Sequence, residues 1–388
     1  MAIRNGWCTP LKAEASQRRE KRHIFSQERK AMAESPRNPL RALSTAKYVA
    51  GQGVRTLWYS GHYALLRRDM GGFSRPDEPA FKPASGQPSF KAMRREFFKA
   101  YQRDLENIEA GLYPRPRDAQ PSQLPAALRR SRSFLKDADA VNKRRLERNG
   151  TEVREELRTG NYPAYYRQNF HYQSGGWFSD ESADIYDTQV EVLFTGSADV
   201  MRRCVLGEIA KLMKGRDQRQ TQLLDLACGT GRFLASVMDA FPRLNATGLD
   251  LSPNYTEKAK YEVRHWKSSE VIQGQAEAMP LPDASQDIIV SIYLFHELPP
   301  KVRPVVAKEI ARVLQPGGSF VFADSLQLGD TPEMDGLLEY FPEGFHEPYY
   351  KHYLTEDFGK LFSEAGLVPS EPDPVFLTKI QTWTKPDA

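Results

Sequence analysis

The 388 residues are 40% hydrophobic and 27% charged, enough to bury a full core and too mixed for a fibrous or wholly disordered chain. No run of eighteen uncharged apolar residues exists, which excludes an apolar spanning helix. Cys8, Cys204 and Cys228 have neither pairing nor metal-ligand spacing, so a disulfide framework is excluded and a reducing, cytoplasmic setting is expected.

The net charge of +4 is uneven, because residues 1–75 hold 15 Lys or Arg against 5 Asp or Glu and leave the remainder at −6. A basic arm is therefore expected ahead of a mildly acidic body. Residues 1–40 are polar and lack apolar periodicity, which predicts disorder. Glu14, Glu20, Glu28 and Glu34 interrupt the positive charge and argue against an organelle-targeting peptide. Met32, followed by Ala33, is a second candidate start. In residues 41–68, Leu43, Val49, Val54, Leu57, Trp58 and Leu65 alternate with Arg41, Lys47, Arg55, Arg67 and Arg68. Such a segment either lies on an anionic membrane surface or packs on its own protein or a partner. No nucleic-acid motif accompanies the charge.

Gly71–Gln87 reads as a linker, and Phe90, Met93, Phe97, Tyr101, Leu105 and Ile108 as one face of a helix ended by Pro114 and Pro116. Leu128–Leu157 reads as a second, highly charged helix on the surface. Residues 161–178 are dense in aromatics, with seven of eighteen against 11% for the chain. They form either an aromatic staple holding helices to a sheet or a lid hinged at Gly175-Gly176. Ser182–Lys214 reads as one or two helices.

From Gln218 strands and helices alternate, which predicts a parallel α/β sheet. Leu223–Ala227 is a buried strand running into Cys228-Gly229-Thr230-Gly231 and a helix, and Ala246–Leu249 is a second strand ending at Asp250. A strand, a glycine turn whose main chain a ligand can approach, a helix and a strand-terminal acid make a nucleoside-binding half-fold. Leu234 stands where a dinucleotide fingerprint needs Gly or Ala, and Asp225 is placed to meet an ammonium group. The stretch resembles motif I of the class I S-adenosylmethionine-dependent methyltransferases, D-x-[GA]-x-G-x-G, with Ala227 in the first small position.

Gln275-Ala276-Glu277-Ala278-Met279-Pro280 before the strand Asp287–Tyr293 is similar to motif II of the quinone-type C-methyltransferases, with Gln275 in place of the usual acid and Glu277 expected to face solvent. Leu314-Gln315-Pro316-Gly317-Gly318 before the strand Ser319–Asp324 resembles a third signature of that superfamily. The resemblance implies a doubly wound, mainly parallel, seven-stranded Rossmann-like α/β sheet with a mostly helical N-terminal extension. Divided by composition, 1–75 is the arm, 76–160 a helical extension, 161–215 the aromatic cap with helices, and 216–388 the methyltransferase domain.

The cofactor implied is S-adenosylmethionine. Asp225, Ala227, Gly229 and Gly231 are expected under its methionine part, Asp250 on its ribose, and Leu251, Gln275 and Ala276 around its adenine. His296, after the fourth strand, is either a pocket base or a helix cap; with Tyr172 and Tyr350 it is the candidate for the acceptor side. His171, Trp177 and Tyr186 are further candidates by position. The acceptor expected is a small aromatic or isoprenoid molecule, methylated on carbon or oxygen. Because [DN]-P-P-[YF] is absent after that strand, nucleic-acid amines are poor acceptors. An RNA or protein methyltransferase and a non-catalytic binding protein are the alternatives. His346, Glu347 and His352 lack the i, i+4 spacing of a helical metal site.

Overall fold

Side-chain caps at Ser89, Ser179, Ser252 and Asp357 fix four of the helix starts. The computed structural model describes residues 39–69, 79, 81–116, 124–156 and 162–387; the expected disorder, the candidate start at Met32 and most of the Gly71–Gln87 linker lie outside them. Contacts group residues up to Ala50 as one unit and Gly51–Ala388 as another. Helix α1 is Pro39–Asp69. In α2, Phe90–Glu109, the Ser89 hydroxyl caps the helix by accepting from the Ala92 amide. The helix stops at Ala110 and left-handed Gly111, before the prolines are reached. The long charged helix predicted next is two helices, α3 (Leu124–Glu147) and the short α4 (Glu152–Glu156). They are parted where Arg148 takes a positive φ. Helices α5, Asp180–Leu193, capped by Ser179, and α6, Ala198–Leu212, lead into the sheet.

Polar contacts carry the packing of the N-terminal helices. From Gly51 onward α1 buries Gln52, Arg55 and His62 and exposes Val54 and Leu57. Arg55 reaches Glu191 and Asp199 at 2.5 and 2.6 Å. Two buried acids on α5 and α6 require a cation more than the solvent-facing leucine requires shelter, so this stretch packs on its own protein through Arg55. Asp104 of α2 receives a forked contact from Arg203 of α6 and the Tyr113 hydroxyl, all buried. No helix among the described residues is long and apolar enough to cross a membrane.

The sheet runs β3-β2-β1-β4-β5-β8-β6, with β7 paired on β8. Its strands are β1 Gln222–Leu226, β2 Asn245–Asp250, β3 Ser269–Gln273, β4 Gln286–Ile292, β5 Leu314–Ser325, β6 Val368–Pro369, β7 Asp373–Val375 and β8 Thr378–Thr384. The first five are parallel and β8 is antiparallel to β5. Seven strands lie in line, as expected, and the short β7 is an eighth. Strand β5 begins at Leu314, before its Pro-Gly-Gly, because Gly317 and Gly318 pair with Lys385.

Alternation along the central strands builds two cores. Leu223, Ile288, Val290 and Val321 face one side with Val205 and Val237. Leu224, Leu226, Ile289, Phe320 and Phe322 face the other with Ile310, Phe362 and Trp383. The helices between strands are α7 Arg232–Ala240, α8 Pro253–Val263, α9 Arg303–Val313, α10 Asp335–Gly344, α11 Tyr350–Tyr353 and α12 Phe358–Glu364. Ser252 caps α8, whose first residue is Pro253. The carboxyl ends of β1, β2, β4 and β5 thus converge on one edge, where such folds place ligands.

Candidate functional site

Leaving β1, the chain takes positive φ at Ala227 (62°), Gly229 (55°) and Gly231 (77°). The two glycines serve different ends. A Cβ on Gly231 would lie 2.8 Å from the Cα of Ala259 on α8, so that glycine lets turn and helix touch. A Cβ on Gly229 would meet nothing within 4 Å, because that glycine faces a cleft. Replacing Gly231 by Ala combines a left-handed backbone with a clash, and we expect a loss of roughly 2–3 kcal/mol in a denaturant titration.

Asp250, at the end of β2, ties this turn together. One carboxylate oxygen accepts from the Gly229 amide and the other from the Ser252 amide, both at 2.9 Å. Burial raises its pKa, and these amide bonds oppose the rise. Asp225 is 2% exposed, and its Oδ2 has no hydrogen-bond partner among the described residues. Burial, with Asp250 nearby, pushes it up to about 7. Such a group is relieved either by holding its proton or by a cation brought beside it.

The cleft holds about 780 Å³, including its open mouth. Its floor is Ala227, Gly229, Asp250, Leu251, Gly274 and Ala276, and Tyr165, Tyr166, Phe170 and Trp177 of the aromatic stretch form the roof. Trp177, Tyr186 and Tyr255 pack edge to face at 5.4–5.5 Å, joining that stretch to α5 and α8. The Ser252 hydroxyl donates to the Trp177 carbonyl. The stretch therefore acts as staple and roof at once.

Tyr186, Tyr293 and Glu297 line both this cleft and a neighbouring chamber of about 640 Å³. His296 and Tyr350 line the chamber as well. Nδ1 of His296 lies 2.6 Å from Oδ1 of Asp324, the penultimate residue of β5. Asp324 also accepts from the Phe295 and Ser325 amides at 2.7 Å, which fixes its orientation. Burial disfavours the imidazolium, but the Asp324 charge overrides it and lifts His296 to about 9. Burial lifts the Glu297 carboxyl to about 8 and lowers His171 to about 3. Nδ1 of His171 lies 3.1 Å from Glu347, another buried carboxyl raised by desolvation. At neutral pH the chamber thus borders an imidazolium paired with the Asp324 carboxylate.

A methyltransferase domain model matches residues 223–318. A demethylmenaquinone methyltransferase of Lactococcus lactis subsp. lactis is 30% identical over 215 residues, covering 50% of this chain and 81% of that protein. This chain belongs to the class I S-adenosylmethionine-dependent methyltransferases. The enzyme of the same name from Bacillus licheniformis is 32% identical over 144 residues, 37% of this chain and 56% of that one. The match to the Listeria welshimeri enzyme, 30% identical, spans 41% and 62%. The chain thus spans less than two thirds of these last two relatives. A SAM-dependent methyltransferase structure from Aquifex aeolicus, 19% identical, covers 45% of this chain and 88% of its own, with a TM-score of 0.34.

The residues of this methyltransferase fit the cofactor of its family. The open cradle at Gly229, the buried Asp225 oxygen without a partner and the Asp250 carboxylate suit a ligand with an ammonium group and a ribose. Of the residues named from sequence, Ala227, Gly229, Asp250, Leu251 and Ala276 line the cleft; Gly231, packed on Ala259, and Asp225, buried near the end of β1, do not line it. Gln275 is exposed and does not line it. Glu277 does, and its Oε1 accepts from the Tyr165 hydroxyl at 2.5 Å, so its expected solvent exposure is corrected.

His296 and Tyr350 share the chamber, but Tyr172 does not; its ring packs on His346 at 5.6 Å and its carbonyl accepts from Arg144. Positive φ at His171 and Tyr172 turns His171 inward in its place. Asp324 and Glu297 were missed. Their signal was positional: a strand-terminal acid beside the strand that delivers His296.

Proposed function

We propose that this methyltransferase moves a methyl group from S-adenosylmethionine to a carbon or oxygen of a small aromatic molecule of isoprenoid-quinol type. The observation that carries this reading is the His296–Asp324 pair, 2.6 Å apart, in a chamber that shares Tyr186, Tyr293 and Glu297 with the cofactor cleft. Bound in the cleft, the sulfonium cofactor supplies an electrophilic methyl. Asp225 would face the ammonium group, Asp250 the ribose hydroxyls, and Leu251 and Ala276 the adenine.

On the acceptor side, an imidazolium held near 9 favours an acceptor oxygen in its anionic form. A ring oxyanion raises the nucleophilicity of its own oxygen and of the neighbouring carbon. The new bond forms from that atom to the methyl, and the sulfur–methyl pair returns to sulfur. Attack by carbon leaves a ring proton to be lost, and Glu297, near 8, stands between the two spaces to take it when ionised. Most of the rate then comes from alignment under the aromatic roof. The names of the relatives support a quinol acceptor. Action in the cytoplasm, with exposed Val54, Leu57 and Leu65 touching a membrane, is part of the same proposal.

The test is transfer of labelled methyl to dithionite-reduced 2-farnesyl-1,4-naphthoquinone, followed by mass spectrometry. We expect one added methyl, dependent on reduction. Label passing to total RNA or protein, with none on the quinol, would overturn the acceptor class.

A further inference from the structure

Beside the chamber lies a third space of about 940 Å³, counting its open mouth, built largely by the helices ahead of the sheet. Leu66 of α1 and Phe134, Ala138 and Val141 of α3 line one side. Val190 and Leu193 of α5 line the other and also border the chamber. Tyr186 touches the cleft, the chamber and this space. Positions 186, 190 and 193 fall at i, i+4 and i+7, one stripe of α5. A single helix face therefore runs past all three spaces in sequence.

The third space is mainly apolar, and among the described residues Arg67 and Asp137 are its only charged lining residues. Apolar walls this extensive fit a hydrocarbon and offer no cluster of cations for a phosphate. We propose that it houses the apolar chain of the methyl acceptor, with the reacting ring in the chamber and the chain threaded between α1, α3 and α5. This rests on the acceptor proposed above and deepens it, since it gives the helical extension a role in selecting chain length. Each methylene buried there strengthens binding, so affinity rises with chain length until the space is full.

The experiment separates chain from ring by using chains alone. Tritiated farnesol and geraniol are titrated into the full chain saturated with S-adenosylhomocysteine, beside Ala138→Phe and Val141→Phe, which fill the space from adjacent turns of α3. Leu135→Phe, on the exposed side of α3, is the control. We expect farnesol to bind at least tenfold more tightly than geraniol. Each filling variant should lose tenfold or more of that affinity, with cofactor affinity and melting temperature unchanged, and the control should match the parent. Farnesol that fails to bind the parent, or binds a folded filling variant equally well, overturns the proposal. If farnesol binds as expected while the farnesylated naphthoquinol is not methylated, the ring assignment falls and the channel stands.

Discussion

Asp250→Ala should weaken S-adenosylmethionine binding at least 100-fold while the protein remains folded. Both carboxylate oxygens already accept one backbone amide, from Gly229 and Ser252. Each keeps lone-pair capacity that a ribose hydroxyl of the proposed cofactor would meet. Hydrogen bonds to a charged group contribute roughly 1.5–3 kcal/mol each, so two of them correspond to the stated loss. The substitution also frees the Gly229 amide and with it the left-handed turn that opens the cradle. Asp250→Asn, which keeps one acceptor oxygen, should lose about tenfold. Calorimetric titration measures both, and thermal melts establish folding. Unchanged affinity in folded Asp250→Ala would remove the ribose role and the cofactor geometry built on it.

What could be seen in advance follows from the range of the interactions. The β1 turn, Asp250 and the alternation of strands and helices were legible because their signals are local: apolar runs, paired glycines and a strand-terminal acid within a few dozen residues. The roof was legible as a density of aromatics, but not as contacts, since Trp177 meets Tyr255 across the chain. Tyr172 was misplaced because two adjacent left-handed residues reverse which side chain points inward, and no composition signal marks them. The packing of α1 was left open by its mixture of basic and apolar residues, because Arg55 is drawn inward by Glu191 and Asp199, more than a hundred residues away. Asp324 lies 28 residues from His296, and only the pairing of β4 with β5 brings them together.

His296→Gln and Asp324→Asn should each lower the rate of methyl transfer by about 100- to 1,000-fold, the range for a positioned proton-handling group. The double variant should be little worse, because the two side chains act as one unit. The pH dependence discriminates this from a merely structural role. His296 is held up to about 9 by Asp324 against the opposing effect of burial. Its imidazolium is therefore present at neutral pH, and the alkaline limb of kcat/KM should fall near 9. Without the Asp324 carboxylate, burial is opposed only by the smaller pulls of Glu297 and Glu347, and the limb should move down from about 9. Stability follows the same sign. A histidine whose folded pKa is raised contributes fully below about 6.5 and loses that contribution as pH climbs through about 9, here roughly 3 kcal/mol. Glu297, raised by burial, adds a decline ending near 8, so the two losses overlap and Glu297→Gln separates them. Urea titrations at pH 6 and 9.5 should therefore be run in the Glu297→Gln background, where adding His296→Gln should remove most of the remaining drop. If the alkaline limb stays in place in Asp324→Asn, the imidazolium is not the group that meets the acceptor. Glu297, on the wall between the cleft and the chamber, would then be the group to test next.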